Sequence, residues 1–415
     1  MQKLQKYQKT ELGEIPEEWQ ISPIDSFLKI NMGQSPPSET YNDKKEGLPF
    51  YQGVFDFGET FPKPRIWCSS PKKIANKNEI LFSVRAPVGE LNLTSERCCI
   101  GRGVAALKPI TSDLRYCFYL IQLFKHKFSS YSQGSTFEAI NRDEIGKVKL
   151  PFTSNTKEQQ EISSILSKVD ELIQKTDQII EQTQRLKKGL MQRLLTKGIG
   201  HTKFKNTELG EVPEKWQIKP LNDYVDIMSG EYFAYTEFSN KGIPVLKIDN
   251  VAYGNIDWTT RTFLPEQYRT SHKHLLLSQG DIVLALNRPI TNNEVKVGMV
   301  RNGDAPSLLY QRVGKFNFKS NFLDRTFFYM YLTSTLFKKL LSKSLIGSDQ
   351  PYVKTTELKK KKIAVPQIEE QKNISNILLH IKNDIESKQI YRDKLIALKK
   401  GLMQQLLTGK IRVKV

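Results

Sequence analysis

One stretch of this chain occurs twice, and the repetition limits the folds open to it. Residues 10–21 read TELGEIPEEWQI and residues 207–218 read TELGEVPEKWQI, identical at 10 of 12 positions. Residues 186–196 read LKKGLMQRLLT and residues 398–408 read LKKGLMQQLLT, identical at 10 of 11. The first pair is offset by 197 residues and the second by 212, so the chain holds two tandem copies of one unit. The ends of the copies match and the middles diverge, as expected of one geometry that reads two different things.

Charge narrows the partner. With 63 Lys and Arg against 44 Asp and Glu, the formal net charge is +19, and no single basic tail absorbs it. Such an excess favours a polyanion, nucleic acid above all, without implying sequence specificity. The most apolar stretch, Tyr116–Phe124, is nine residues, far short of a bilayer span, and residues 1–14 lack an apolar signal core. A cytoplasmic protein without a membrane partner is expected. The four cysteines, Cys68, Cys98, Cys99 and Cys117, all fall in the first copy. Without CxxC spacing they predict free, mostly buried thiols and neither a zinc site nor a disulfide framework.

Each copy divides into a globule and a helix. The globules are rich in Pro, Gly, aromatics and short β-type runs such as Ile80–Val84 and Asp281–Leu286. The expected fold class is α/β mixed (α+β) in two tandem globular domains, each followed by a long helix. The divisions fall at 1–152, 153–198, 199–366 and 367–415. Thr156 with Gln159 forms a capping-box pattern, and Gly198 and Gly409 stand where helices stop. Along the first helix Ile162, Ile165, Val169, Leu172, Ile179, Leu186, Leu190 and Leu194 make a heptad stripe, with Thr176 and Thr183 on the same line. In the second, Ile374, Ile377, Ile381, Leu395, Leu398, Leu402 and Leu406 continue it, interrupted at Asp384 and Lys388. Gly189 and Gly401 lie inside the helices, where glycine costs about 1 kcal/mol against alanine. Their recurrence predicts close approach of two backbones. Helices related by a pseudo-twofold axis would pair as an antiparallel coiled coil, a rod of roughly 60 Å for 40 residues.

These motifs, taken together and in order, resemble the specificity subunits of type I restriction-modification systems. The resemblance rests on the repeated TELGE opening and on Gly134-Ser135-Thr136 running through Leu150-Pro151 to Glu158-Gln159-Gln160-Glu161-Ile162. It rests equally on Gly347-Ser348 running through Val365-Pro366 to Glu370-Gln371-Lys372-Asn373-Ile374, and on LKKGLMQ closing both helices. It implies that each globule is a target-recognition domain binding one half of a bipartite duplex DNA site. The helices would set the distance between halves and dock two methyltransferase subunits, with restriction and translocase subunits joining for cleavage. S-adenosylmethionine would belong to the methyltransferase partner, and ATP and magnesium to the nuclease partner. No cofactor is expected in this chain.

Catalytic motifs are incomplete in this sequence. Ser35-Pro36-Pro37 is followed by Ser38 where an adenine methyltransferase needs an aromatic to stack a flipped base. Asp281 with Glu294-Val295-Lys296 imitates a nuclease spacing, but only in the second copy. No GxxxxGK[ST] occurs. The chain reads as a non-catalytic recognition subunit. A coiled-coil protein adaptor would share the rod and the duplication, but would leave the charge and the divergent globules without a reason.

Base readout needs donors held in fixed geometry, chiefly Arg for guanine and Asn or Gln for adenine. The candidates are Lys63, Arg65, Arg85, Gln133, Ser135 and Arg142 in the first copy. In the second they are Lys247, Asn250, Arg288, Ser348 and Gln350. Arg85 and Arg288 stand out because each closes an apolar strand.

Overall fold

A computed structural model of the 415-residue chain describes residues 6–129 and 139–414. Two compact units emerge, one of Met1–Gln178 with Gln389–Val415 and the other of Ile179–Lys388.

The first globule is built on a four-stranded antiparallel sheet. Its strands are β1 (Leu28–Met32), β2 (Ile80–Ser83), β3 (Leu91–Leu93) and β4 (Val104–Pro109), in spatial order β3-β2-β4-β1. Ile80, Leu81, Phe82 and Ser83 are all buried, because α1 (Leu114–Leu123) covers one face and a second sheet the other. That second sheet contains one parallel pair, Phe50 beside Cys99, among antiparallel neighbours. Asp113 caps α1 by accepting from the Tyr116 amide at 2.8 Å. A short helix, α2 (Arg142–Lys147), precedes the long α3 (Thr156–Lys197).

The second globule repeats the plan. Strands β5 (Val225–Ser229), β6 (Ile282–Ala285), β7 (Val297–Met299) and β8 (Val313–Phe318) lie in the order β7-β6-β8-β5, the same as in the first. Its second sheet again holds one parallel pair, Val245 beside Leu308. Helices α4 (Arg325–Leu332) and α5 (Thr335–Ser342) follow, then α6 (Ile368–Leu406). The architecture is thus two tandem mixed helix-and-sheet domains with long helices, as the sequence predicts. Among the described residues no helix is long and apolar enough to cross a membrane.

The repeated motifs turn out to be joinery. In the first unit the Trp19 indole N–H donates to Glu158 Oε2 at 3.2 Å, Thr153 Oγ1 donates to the same oxygen at 2.9 Å, and the Arg412 guanidinium closes on the carboxylate. In the second, Glu370 accepts from the Trp216 indole at 3.2 Å and from the Ile199 amide at 3.0 Å, with His201 Nε2 at 2.8 Å. Gln159 accepts from the Asp113 amide and Gln371 from the Asp324 amide, each at 2.7 Å, tying the long helix to the start of α1 or α4. Gln159 therefore closes no capping box. Asn155 is the cap of α3, accepting from the Lys157 and Glu158 amides. Gly198 and Gly409 do terminate the helices, at φ of 64° and 71°.

The heptad stripe is present but turned by one residue at every second position. The buried or half-buried line on α3 is Leu166, Val169, Ile173, Thr176, Ile180, Thr183, Lys187, Leu190 and Leu194. Its counterpart on α6, offset by 212 throughout, is Leu378, Ile381, Ile385, Lys388, Arg392, Leu395, Lys399, Leu402 and Leu406. Ile162 and Ile374 are buried in the globule cores, and Ile165 packs against the first of them. Leu172, Ile179, Leu186, Ile377 and Leu398 are corrected: they are 39–55% exposed, one residue off the buried line. Gly189 and Gly401 are corrected too. A Cβ built on either meets nothing within 4 Å among the described residues, so none of their backbone from outside the helix approaches them. They sit on the outward face, two residues past Lys187 and Lys399.

Within the first unit, Asp170 meets Lys399 at 2.7 Å and Asp177 meets Arg392 at 3.4 Å. Seven residues forward on one segment is seven back on the other, the register of antiparallel neighbours.

Candidate nucleic-acid interface

In both units one end of the four-stranded sheet gathers exposed polar side chains on rigid backbone. The gathering begins at a glycine. A Cβ on Gly33, just past β1, would lie 2.2 Å from the Gly101 carbonyl oxygen, and one on Gly230, just past β5, 2.4 Å from that of Tyr310. Only glycine lets the two chains cross so closely. The crossing sets Ser35 beside Arg102, whose amide donates to Ser35 Oγ at 3.3 Å, at the end where β2 runs out into Arg85. Arg85 is exposed and its backbone bridges to Ala139.

The second unit shows which residue matches Arg85. Ser83 lies opposite Val104, and Ala285 opposite Val313 at the same register. Two residues on, Arg85 bridges to Ala139 and Asn287 bridges to Tyr352. The counterpart of Arg85 is therefore Asn287, and Arg288 is the following residue. Arg288 is exposed, takes a left-handed backbone (φ 46°) and donates its amide to the Pro351 carbonyl at 2.7 Å. That bond and the Asn287 bridge bring in the hairpin of Leu345–Ile346 and Tyr352–Val353, whose exposed tip carries Ser348 and Gln350. Arg312, exposed at φ 65°, joins them through its carbonyl, which accepts from the Leu286 amide at 2.8 Å. The structure thus groups Arg288, Ser348 and Gln350 with Asn287, Arg312 and Tyr352, which sequence reasoning missed. Arg102 was missed as well, although Gly101-Arg102-Gly103 marks a tight turn that presents it.

Other candidates fall elsewhere. Gln133 and Ser135 lie outside the described residues. Arg142 opens α2 and shares a cavity of about 490 Å³ with Asp25, Leu28 and Lys29, at the start of β1 and not at its Gly33 end. Lys63 is exposed. Arg65 is held by Asp56 at 2.6 Å and lies 3.9 Å over the ring of Phe55, itself 83% exposed. This makes a flat, preorganised cation–aromatic pair at the surface. Lys247 is half-buried, its Nζ 4.6 Å from the Phe238 ring centre. Asn250 is a correction. It is buried, its Oδ1 accepts from the Lys247 amide, and its Nδ2 donates to the Asp257 and Thr260 carbonyls. An amide so committed clamps its own loop and has nothing to offer a base edge.

The nuclease lookalike does not assemble. Asp281 pairs with Lys315 at 2.6 Å and accepts from the Ser278 amide, while Lys296 donates to the Ile248 carbonyl. No group of three metal-ligating side chains occurs among the described residues. All four cysteines are buried and free.

A family model described as the type I restriction modification DNA specificity domain matches residues 16–185 and again 213–392. The type I restriction enzyme MjaVIII specificity subunit of Methanocaldococcus jannaschii is 39% identical over 405 residues, covering 96% of this chain and 94% of that protein. The EcoAI specificity subunit of Escherichia coli is 29% identical over 168 residues, 40% of this chain and 28% of that one. Among solved structures, the type I restriction-modification S subunit from M. genitalium superposes with a TM-score of 0.58 at 17% identity, covering 94% of this chain and 96% of that one. A chain from a study of assembly and conformational transition of the type I R-M system gives 0.60 at 13% identity, covering 96% and 99%. At such identities the superpositions speak for the fold alone.

Proposed function

Because this chain belongs to the type I restriction-modification DNA specificity family, we propose that each unit reads one half of a bipartite duplex site. The reading surface is the sheet end carrying Arg85 and Arg102 in one unit and Asn287, Arg288 and Arg312 in the other. The chain supplies DNA-recognition specificity within a type I restriction-modification complex. The observation that carries the two-half reading is the pair of equivalent sheets with different residues at equivalent ends, Arg85 against Asn287. Arg suits a guanine edge and Asn an adenine edge, so one frame presents two chemistries. Lys63 and Lys247, at +19 overall, suit the sequence-independent phosphate backbone.

The long helices pair as an antiparallel coiled coil and space the half-sites. The constant register of Asp170–Lys399 and Asp177–Arg392 and the matched buried lines at offset 212 support this. Leu172, Ile179 and Leu186, exposed at seven-residue intervals on α3, with Tyr391 and Leu398 in the same relation on α6, form the docking stripes for two methyltransferase subunits. Those subunits bring S-adenosylmethionine. A nuclease and translocase subunit, with its ATP and magnesium, joins for cleavage in the cytoplasm.

Mapping N6-methyladenine across the host genome with and without the gene tests the reading. The expected result is a two-part motif of fixed gap that disappears on deletion. A motif of one contiguous block, or methylation unchanged by deletion, overturns it.

A further inference from the structure

One cavity lies wholly within the second unit, beside the hairpin of Ile290–Thr291 and Glu294–Val295 that follows Arg288. It encloses about 390 Å³, within the usual range of small-ligand pockets. Four lysines line it: Lys187 and Lys188 from α3, Lys338 from α5 and Lys382 from α6. Glu294 is the one carboxylate among the lining residues. Lys338 donates to the neutral Asn293 carbonyl and side-chain oxygens, and Lys382 reaches Glu386 only at 3.9 Å. Neither Lys187 nor Lys188 has a carboxylate within ion-pair distance among the described residues. The first turn of α5, from Thr335, also opens on the cavity and adds partial positive charge.

The first unit shows how this spot is otherwise filled. The offset of 212 relating α3 to α6 carries Asp170 onto Lys382 and Lys187 onto Lys399. In the first unit Asp170 and Lys399 are a closed ion pair at 2.7 Å, backed by Tyr119, whose hydroxyl donates to Asp170 at 2.6 Å. The second unit has two half-buried lysines in their place. Burial depresses the pKa of both, and for Lys382 the nearby Arg301 and Lys187 add to it against Glu386. Two like charges whose nearest carboxylate, Glu386, stands 3.9 Å from Lys382 are costly to bury and would be relieved by a further anion.

The geometry points to a binding site for a compact oligophosphate, bare or carried on a nucleotide, between α3, α5 and the first half of α6. A multivalent anion fits better than a carboxylate because four lysines and one carboxylate line the cavity. A small molecule fits better than duplex backbone because the site is a cavity and not a flat basic surface. Met191, Met330 and Tyr329 on its wall offer an apolar rest for a base.

The test is calorimetric titration of the full chain with tripolyphosphate, pyrophosphate and a nucleoside triphosphate at constant ionic strength. One site per chain is expected, with tripolyphosphate tighter than pyrophosphate. Tighter binding of the nucleotide than of tripolyphosphate adds the base to the ligand; equal binding assigns phosphate alone. Lys382→Asp, which restores the first unit's pairing, should weaken binding about tenfold or more, the size of a lost charge-assisted contact, and Lys338→Gln should act alike. Lys400→Ala, exposed on α6 at the position equivalent to Lys188, should change nothing. Unchanged melting of the ligand-free variants excludes misfolding as the cause. The absence of saturable binding, equal losses in all three variants, or duplex DNA displacing tripolyphosphate one for one with the same sensitivity to Lys382→Asp, would overturn the proposal.

Discussion

Glu158 is the sharpest place to test how each globule is held to its helix. Its side chain is fully buried and serves three donors: the Trp19 indole, the Thr153 hydroxyl and the Arg412 guanidinium. Arg412 is 17% exposed and has a second partner, Glu18, at 2.9 Å. Glu158→Ala removes the acceptor and leaves a buried indole N–H and a largely buried cation without it. Removing one partner of a buried ion pair costs about 3–5 kcal/mol, of which the orphaned N–H accounts for roughly 1–3. Glu18 can still hold the cation in part, so about 3 kcal/mol is expected. Glu158→Gln keeps one carbonyl oxygen for Trp19 but aims an amide N–H₂ at the guanidinium, and about 2 kcal/mol is expected. Urea unfolding followed by tryptophan fluorescence reads this, since Trp19 is in the first unit and Trp216 in the second. The loss should appear in the first transition only. Adding Arg412→Gln to Glu158→Gln should cost less than the sum of the singles by about 1 kcal/mol or more, because both act on one network. A cost for Glu158→Ala below about 1 kcal/mol, or strict additivity in the cycle, would refute the assignment of Glu158 as the buried anchor.

Four further outcomes can be checked. Arg85→Ala and Asn287→Ala should each relax one half-site in methylation maps, by about 1–3 kcal/mol of discrimination for a bidentate contact; equal weakening on all DNAs would make either a phosphate contact. Inserting seven residues after position 176 of α3 and seven after position 388 of α6 preserves the buried line and lengthens each helix by about 10.5 Å. It should widen the spacer by about three base pairs at 3.4 Å each, as read from the methylated motif. Leu172→Asp, at 44% exposed, should leave stability within about 0.5 kcal/mol while abolishing co-purification of a methyltransferase subunit. Lastly, burial pushes the Cys98 and Cys117 thiols up to about 12. Because the folded values exceed the unfolded ones, their contribution is complete below the ordinary thiol range near 9 and is lost as pH rises from there toward 12. Native alkylation at pH 8 should be slow, and alkaline loss of stability should fall on the first unit; rapid labelling of the native chain contradicts the burial.

The frame was legible because its residues do the same work twice. Trp19 and Trp216, Glu158 and Glu370, Gln159 and Gln371, and the stop glycines each sit in repeated words and turn out to be repeated contacts. The seam was legible in period and not in phase. On α3 the line through Leu172, Ile179 and Leu186 holds seven apolar residues between Ile165 and Leu194, against six on the true line, which accepts Lys187 where the other has Leu186. A helix with two adjacent apolar faces has one period but two candidate phases, and only packing chooses between them. Asn287 was hidden by drift between the copies. Their offset grows from 197 at Gly33 and Gly230 through 202 at Ser83 and Ala285 to 212 on the helices. A match by residue type therefore paired Arg85 with Arg288, one position too far. Asn250 failed because residue type says what a side chain can donate and not whether a loop has already used it.

The make-up of the first unit has a consequence for synthesis. Met403, Leu406 and Leu407 complete the core that holds Ile15, Trp19 and Leu166, and Arg412 completes the charge on Glu158. These residues emerge more than 200 positions after the rest of that core. At roughly 5–20 residues per second the ribosome leaves the earliest-made globule open for about 10–40 s. The second unit, contained in Ile179–Lys388, can close first. The half that is read first is finished last, which exposes it to proteases and chaperones for longer than its partner.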